Sequence, residues 1–156
     1  MFDTLADVPQ LGVALGVVSL TMFGIVTDLP EAPAPDATAA GATVDRAAAT
    51  SHPTTASHPL AAQAVKIGPH EIALRNGGGT AHAAFAYGPV TPVPDSGALR
   101  RVLRGAPPSR EFESPSAFER AARGRQNRSP RWQSAGEKLL VRHVTWGDVN
   151  VTLVGA

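Results

Sequence analysis

The sequence predicts an α+β chain: an N-terminal transmembrane helix, an Ala/Pro/Thr-rich linker that can hold one helix, then a small antiparallel β-sheet domain with two short helices. Three observations lead to this prediction. They are an uncharged apolar run near the start, a shift to Ala, Pro and Thr after residue 30, and apolar residues at every second position beyond residue 63. The predicted boundaries are an anchor over 1–29, a linker or stalk over 30–62 and the domain over 63–156.

The apolar run begins at Leu11, ends at Thr27 and contains no charged residue. Pro9 suits the first turn of a helix and Pro30 ends it. Residues 9–29 would span roughly 31 Å as a helix at about 1.5 Å per residue, which matches a bilayer core of about 30 Å. The run therefore predicts a single-pass anchor in membrane lipid.

A cleaved secretory signal is the alternative for the same segment. Signal peptides begin with basic residues, whereas the first ten residues here contain Asp3 and Asp7 and no Lys or Arg, so a retained anchor is favoured. Gly12 and Gly16 form a GxxxG pattern that permits close helix–helix packing, although glycine is also simply common in membrane helices. The stalk-like composition after the run favours a C-terminal domain outside the cell.

Local signals predict the elements that follow. Asp36 is a helix-capping residue before an alanine-rich stretch that ends near Pro53, which predicts a helix flanked by extended, proline-rich spacers. The Asn76-Gly77 pair predicts a tight hairpin, and Gly147-Asp148 predicts a second one. Predicted strands surround these turns, predicted helices begin near residues 96 and 115, and residues 123–133 are predicted to be a loop.

Charge is distributed unevenly along the chain. Residues 1–60 carry a net charge of −5 and residues 61–156 carry +6, with a surplus of +7 between residues 98 and 142. One hypothesis is that an arginine-rich face docks an acidic protein or anionic lipid; its residues are Arg120, Arg123, Arg125, Arg128 and Arg131. The alternative is a solvated face partly paired with nearby glutamates. An external domain would not meet nucleic acid, so none is expected as a partner.

The sequence carries no recognisable catalytic signature. It has no cysteine, no GxSxG, no HExxH and no complete P-loop. Five histidines could supply a zinc site, but their spacing matches no metal motif. We therefore expect no catalytic residue, no cofactor and no metal, and we expect that the protein is not an enzyme.

A family resemblance adds to these signals. The opening MFDTLADVPQLGVALGVVSL, the segment TVDRAAATSHPTTASHPLAAQAVKIGPHEIALRNGGGTAHAAFAYGPVTPV and the closing WGDVNVTLVGA resemble an uncharacterised family of haloarchaeal proteins with one N-terminal anchor. Members of such families are often found beside type IV pilus or secretion components. The resemblance implies a non-catalytic, pilin-like or accessory subunit of a cell-surface assembly. An anchored binding module with an arginine-rich face is the alternative.

Overall fold

Helix α1 (Ala37–Ala48) is the first element of the computed structural model, which describes residues 32–156. Asp36 Oδ1 accepts a hydrogen bond from the Ala39 N–H at 2.9 Å, so the predicted helix and its cap are confirmed. The buried face of α1 carries small side chains at helical spacing, among them Ala40, Val44 and Ala47. The helix therefore presents a narrow apolar stripe to the rest of the fold.

Within residues 32–156, eight strands form two four-stranded sheets. The strands are β1 (Thr54–Pro59), β2 (Ala64–Ile67), β3 (Glu71–Asn76), β4 (Gly79–Ala84), β5 (Thr91–Pro92), β6 (Gln133–Ser134), β7 (Lys138–Trp146) and β8 (Val149–Gly155). Sheet A has the order β1-β7-β8-β5 and sheet B the order β4-β3-β2-β6. All pairs are antiparallel except β5 with β8, which is parallel.

Both predicted hairpins are present. The β3–β4 hairpin pairs Asn76 with Gly79, and Asn76 Oδ1 accepts a hydrogen bond from the Gly78 N–H at 2.8 Å across the turn. The β7–β8 hairpin pairs Trp146 with Val149 around Gly147, whose φ of 61° lies in the left-handed region that glycine adopts without strain. The two hairpins predicted from turn-forming residues are therefore confirmed.

The first hydrophobic core lies where α1 meets both sheets. Val44 is fully buried among residues of sheet A, such as Leu139 and Val141, and residues of sheet B, such as Ile72 and Leu74. Because both sheets contribute to the same cluster, α1 and the two sheets form one core.

The second core lies on the opposite face of sheet A. Helices α2 (Ala98–Leu103) and α4 (Pro115–Gln126) contact β8 on this face. The short helix α3 (Pro108–Glu111) contacts α2 and α4. Phe118 of α4 is fully buried, with ring centroids of Phe112 and Trp146 at 5.3 and 6.4 Å. Sheet A is therefore covered on both faces.

Arg142 ties α2 to sheet A. Its Nη1 donates hydrogen bonds to the backbone oxygen atoms of Val102 and Ala106, the second at 2.9 Å. These acceptors lie at and just beyond the end of α2, where helix carbonyls lack partners within the helix. A charged side chain on β7 thus satisfies the end of a neighbouring helix.

The predicted fold class is wrong as stated. The predicted span lies outside the described residues, together with Gly12 and Gly16, and no helix within residues 32–156 is long and apolar enough to cross a bilayer. The single small sheet is replaced by two sheets, one with a parallel pair. Part of the predicted linker forms α1 and β1, because an alanine-rich face and a strand of small residues can each be buried against larger neighbours.

Val44→Ala tests whether the alanine-rich segment belongs to the core. Removing two buried methyl groups should lower the free energy of unfolding by about 2–3 kcal/mol through lost burial and a residual cavity. Chemical denaturation of the full chain measures this difference. Arg46→Ala, at an exposed position of the same helix, is the control and should change stability by less than about 0.5 kcal/mol. Equal, small effects of both substitutions would show that α1 is only a linker helix.

Candidate functional site

The arginines predicted to contact an acidic partner divide into two groups on α4 and the segment after it. Arg125 lies three and seven residues from the buried Ala122 and Phe118, so it shares their inward face. Arg120 and Arg123 lie on the opposite, exposed face. Helical periodicity thus turns one arginine of α4 toward the sheets and two toward solvent.

Arg123 has an acidic partner of its own. Its Nη2 lies 2.6 Å from Glu119 Oε1, one turn earlier in α4, and its side chain is 71% exposed. Exposed ion pairs of this kind contribute at most about 1 kcal/mol. The solvated-face interpretation therefore describes Arg123 well.

Arg125, Arg128 and Arg131 line a cleft of about 460 Å³. Its other lining residues are Ile67 of β2, Pro92 of β5, Gln133 of β6, and Val93, Ser129 and Pro130 of the connecting segments. The cleft therefore lies between an edge of sheet A and an edge of sheet B, with the end of α4 as its third side. Apolar side chains and a cationic rim are combined in one concave surface.

Two hydrogen bonds fix the end of α4 against β5. Gln126 Nε2 donates to the Thr91 Oγ1 at 3.0 Å, and Arg125 Nε donates to the Pro92 backbone oxygen at 3.3 Å. Thr91 is fully buried, so the first of these bonds is shielded from water. Helix α4 also has a defined start, because Ser114 Oγ accepts a hydrogen bond from the Ala117 N–H at 3.2 Å. The arginines of the cleft thus lie on, or directly after, a helix whose start is capped and whose end is hydrogen-bonded to β5.

The cleft carries positive charge that no described acidic residue neutralises. No carboxylate within residues 32–156 lies within 4.0 Å of the guanidinium nitrogens of Arg125, Arg128 or Arg131, and none lines the cleft. Burial, and next the positive charge of Arg128, lower the pKa of Arg125 from its usual value. An incoming anion would relieve this repulsion, so the electrostatics favour an acidic ligand.

The outer face of sheet B carries a second cationic group beside the cleft. The Arg75 guanidinium carbon lies 4.5 Å and Lys66 Nζ 5.5 Å from the ring centroid of Trp132. Such cation–π contacts hold Trp132 against the sheet while 36% of the residue stays exposed. This arrangement could not be predicted from the sequence, because Trp132 lies more than 50 residues from either cation.

Arg100 is a further arginine in an unusual environment. Its Nη2 donates to the Ala156 backbone oxygen at 3.1 Å, while its buried Nε and Nη1 have no hydrogen-bond partner within residues 32–156. Burial and the neighbouring charge of Arg104 lower the pKa of Arg100, and Asp95 opposes them. Arg100 is buried and does not line the arginine cleft, so its hydrogen bond to Ala156 contributes to packing.

The histidines do not converge. Within the described part of the chain, no group of three or more His, Asp or Glu residues could hold a metal ion. His52, His70 and His82 are exposed and lie on separate segments, the first two in connecting loops and the third in β4, whereas His143 is buried in sheet A. His143 Nδ1 is 2.9 Å from the Oγ1 of Thr152 on the neighbouring strand. Its surroundings are those of a structural histidine.

Residues 32–156 thus define a small two-sheet α+β module with an arginine-lined cleft and no assembled metal site. The sequence model of a family described as "Family of unknown function (DUF7283)" matches residues 3–144, and the chain belongs to this family. No curated protein and no solved structure matches the chain significantly.

The buried histidine predicts an acid-sensitive fold. Burial lowers the pKa of His143 below its usual value of 6.5, so the unfolded chain binds the proton more readily than the folded chain. The contribution of neutral His143 to the free energy of unfolding is therefore fully present above about pH 6.5. It is lost as the pH falls through the pKa that His143 has in the folded chain. His143→Gln should flatten the pH dependence of the unfolding midpoint below pH 6.5, measured by denaturant titration. His52→Gln, at an exposed site, should leave the wild-type slope unchanged; an equal slope in all three proteins would contradict the prediction.

Proposed function

We propose that this chain is a non-catalytic binding module whose arginine cleft docks an acidic segment of another protein. The observation that carries the proposal is the convergence of Arg125, Arg128 and Arg131 on one cleft without a described acidic neighbour. Guanidinium groups bind carboxylates through paired, charge-assisted hydrogen bonds, which suit such a rim.

A protein segment fits the cleft better than a lipid surface does. The cleft is concave, and Ile67, Pro92 and Val93 give it apolar walls between the charged groups. A peptide can enter it with both carboxylate and apolar groups, whereas a headgroup layer would meet exposed arginines such as Arg120 and Arg123 equally well. This difference makes the cleft arginines and the exposed arginines separable by experiment.

The identity of the partner is part of the same proposal. The resemblance described above links relatives with pilus-like or secretion assemblies of haloarchaea, and we propose a cell-surface assembly subunit as the source of the acidic segment. A photocrosslinking amino acid in place of Ser129, which lines the cleft, should trap such a subunit in intact native cells. The same group in place of Arg120 is the control for non-specific surface contact.

Charge reversal in the cleft tests the binding function. The probe is a fluorescent peptide of eight residues with alternating Asp and Thr, (Asp-Thr)4, titrated with the full chain at low salt. Arg125→Glu combined with Arg128→Glu should weaken binding at least tenfold, because each charged hydrogen bond contributes about 1.5–3 kcal/mol. Raising the salt concentration should weaken the wild-type complex.

The matched control reverses two charges outside the cleft. Arg120→Glu combined with Arg123→Glu changes the net charge equally but should alter the affinity for the peptide only a few-fold. Equal losses in both double variants would reject the cleft in favour of general electrostatic attraction. Binding to anionic vesicles with the same loss in both variants, and no peptide binding, would assign the basic surface to lipid instead.

A further inference from the structure

The edges of the two sheets differ in how they are covered. In sheet A, β1 contacts α1 and β5 is held by Arg125 and Gln126 of α4. In sheet B, β4 contacts α1. The remaining edge strand is β6, which pairs with β2 and has Ser134 exposed. Unpaired strand edges are templates for a further strand, and proteins usually cover or disrupt them.

The pairing register shows which backbone groups of β6 are free. Ala135 N–H donates to the Gln63 oxygen at 3.0 Å, and Gln133 lies opposite Val65 in the same antiparallel register. Antiparallel partners exchange hydrogen bonds at every second pair, so Gln133 faces β2 with its N–H and C=O. The N–H and C=O of Trp132 and Ser134 therefore point away from β2.

No described residue satisfies these outward groups. Within residues 32–156, neither the N–H nor the C=O of Trp132 or Ser134 takes part in a hydrogen bond. They are spaced two residues apart, which is the repeat with which one β-strand binds the next. The edge thus offers two donors and two acceptors at the spacing that a peptide backbone requires.

Side-chain alternation connects this edge to the cleft. Gln133 lies opposite the buried Val65 and lines the cleft, whereas Trp132 contacts Lys66 and Arg75 on the outer face of sheet B. A strand added beside β6 would follow the same alternation. Every second side chain would enter the arginine cleft, and the side chains between them would lie beside Trp132.

We propose that the acidic partner segment binds as an added strand of sheet B, alongside β6, with alternate carboxylates in the arginine cleft. This inference rests on the proposed function and specifies its ligand: an extended segment with acidic residues at every second position. The backbone hydrogen bonds supply affinity, and the alternation of carboxylates supplies specificity. Charge complementarity identifies the occupant, because Arg125, Arg128 and Arg131 all line the cleft.

Backbone methylation of the peptide tests strand addition directly. Two forms of (Asp-Thr)4 are compared with the unmodified peptide, one N-methylated at every Asp and the other at every Thr. In an added strand only one of these two sets directs its N–H groups toward β6. Methylating that set should abolish binding, the Thr set for an antiparallel strand and the Asp set for a parallel one, while the other form retains its affinity within about threefold.

A protein variant provides the reciprocal test. Ser134→Pro removes one outward N–H without removing a β2–β6 hydrogen bond and should weaken peptide binding at least tenfold. Ser134→Ala keeps the N–H and should bind as the wild type does. Circular dichroism and the unfolding midpoint verify that Ser134→Pro is folded; if it is not, the methylated peptides decide the question.

The outcomes separate this inference from the proposed function. Suppose that the unmodified peptide binds through Arg125 and Arg128, but the two methylated forms have the same affinity as each other. The cleft then remains the site and strand addition is overturned. If the unmodified peptide does not bind at all, the proposed function fails together with this inference. A concentration-dependent dimer that Ser134→Pro disrupts would assign the β6 edge to a second copy of the chain and would also overturn strand addition.

Discussion

Close packing of the small-residue face of α1 against both sheets is the contact on which the rest of the structure depends. At Gly41 an added Cβ would lie 3.0 Å from the Ala83 Cβ of β4, so the helix approaches that strand as closely as side chains permit. Alanine and glycine reduce the separation between helix and sheet, and the dense packing that results compensates for the small area that each residue buries. A chain with few aromatic residues can form its core in this way.

The core on the other face of sheet A is filled by a large aromatic side chain instead of small residues. There Phe118 fills the space between α4 and the strands, and Arg142 hydrogen-bonds the end of α2. Phe118 holds α4 against sheet A, and the hydrogen bonds from Arg125 and Gln126 to β5 hold its C-terminal end, after which Arg128 and Arg131 follow. The cleft is therefore a consequence of the second core, since its charged rim lies on the segment that this core orients.

Helix electrostatics explain only part of the concentration of arginines near the end of α4. Cations are favoured at helix C-termini because they interact with the negative end of the helix dipole, which accounts for Arg123 and Arg125 in the last turn. This effect does not require Arg128 or Arg131, which follow the helix and line the cleft beside Arg125. Placing like charges together has an electrostatic cost, which the acidic segment proposed above would offset.

Local chemistry determined much of the fold from the sequence alone. Asp36, the Asn76-Gly77 turn, Gly147 and Ser114 act on backbone groups within a few residues, so the elements that they begin or reverse could be predicted. The same signals identified the arginine-rich segment and its candidate residues. The same signals could not identify β1, because its small residues have the composition of a linker. It becomes a strand by pairing with Leu139 and Leu140 of β7, which are remote in sequence.

Tertiary structure decided how many sheets there are, where their edges lie, and which arginines share a cleft. Strand β6 exists only because Gln133 and Ser134 pair with Val65 and Ala64, nearly 70 residues earlier in the chain. Side-chain alternation shows which face of a strand is buried, but it does not specify the neighbouring strand, because that choice depends on packing among remote segments. The sequence alone thus determined the capped helix starts, the two hairpins and the excess of positive charge, and long-range pairing decided the remaining strands and the shape of the surface on which that charge lies.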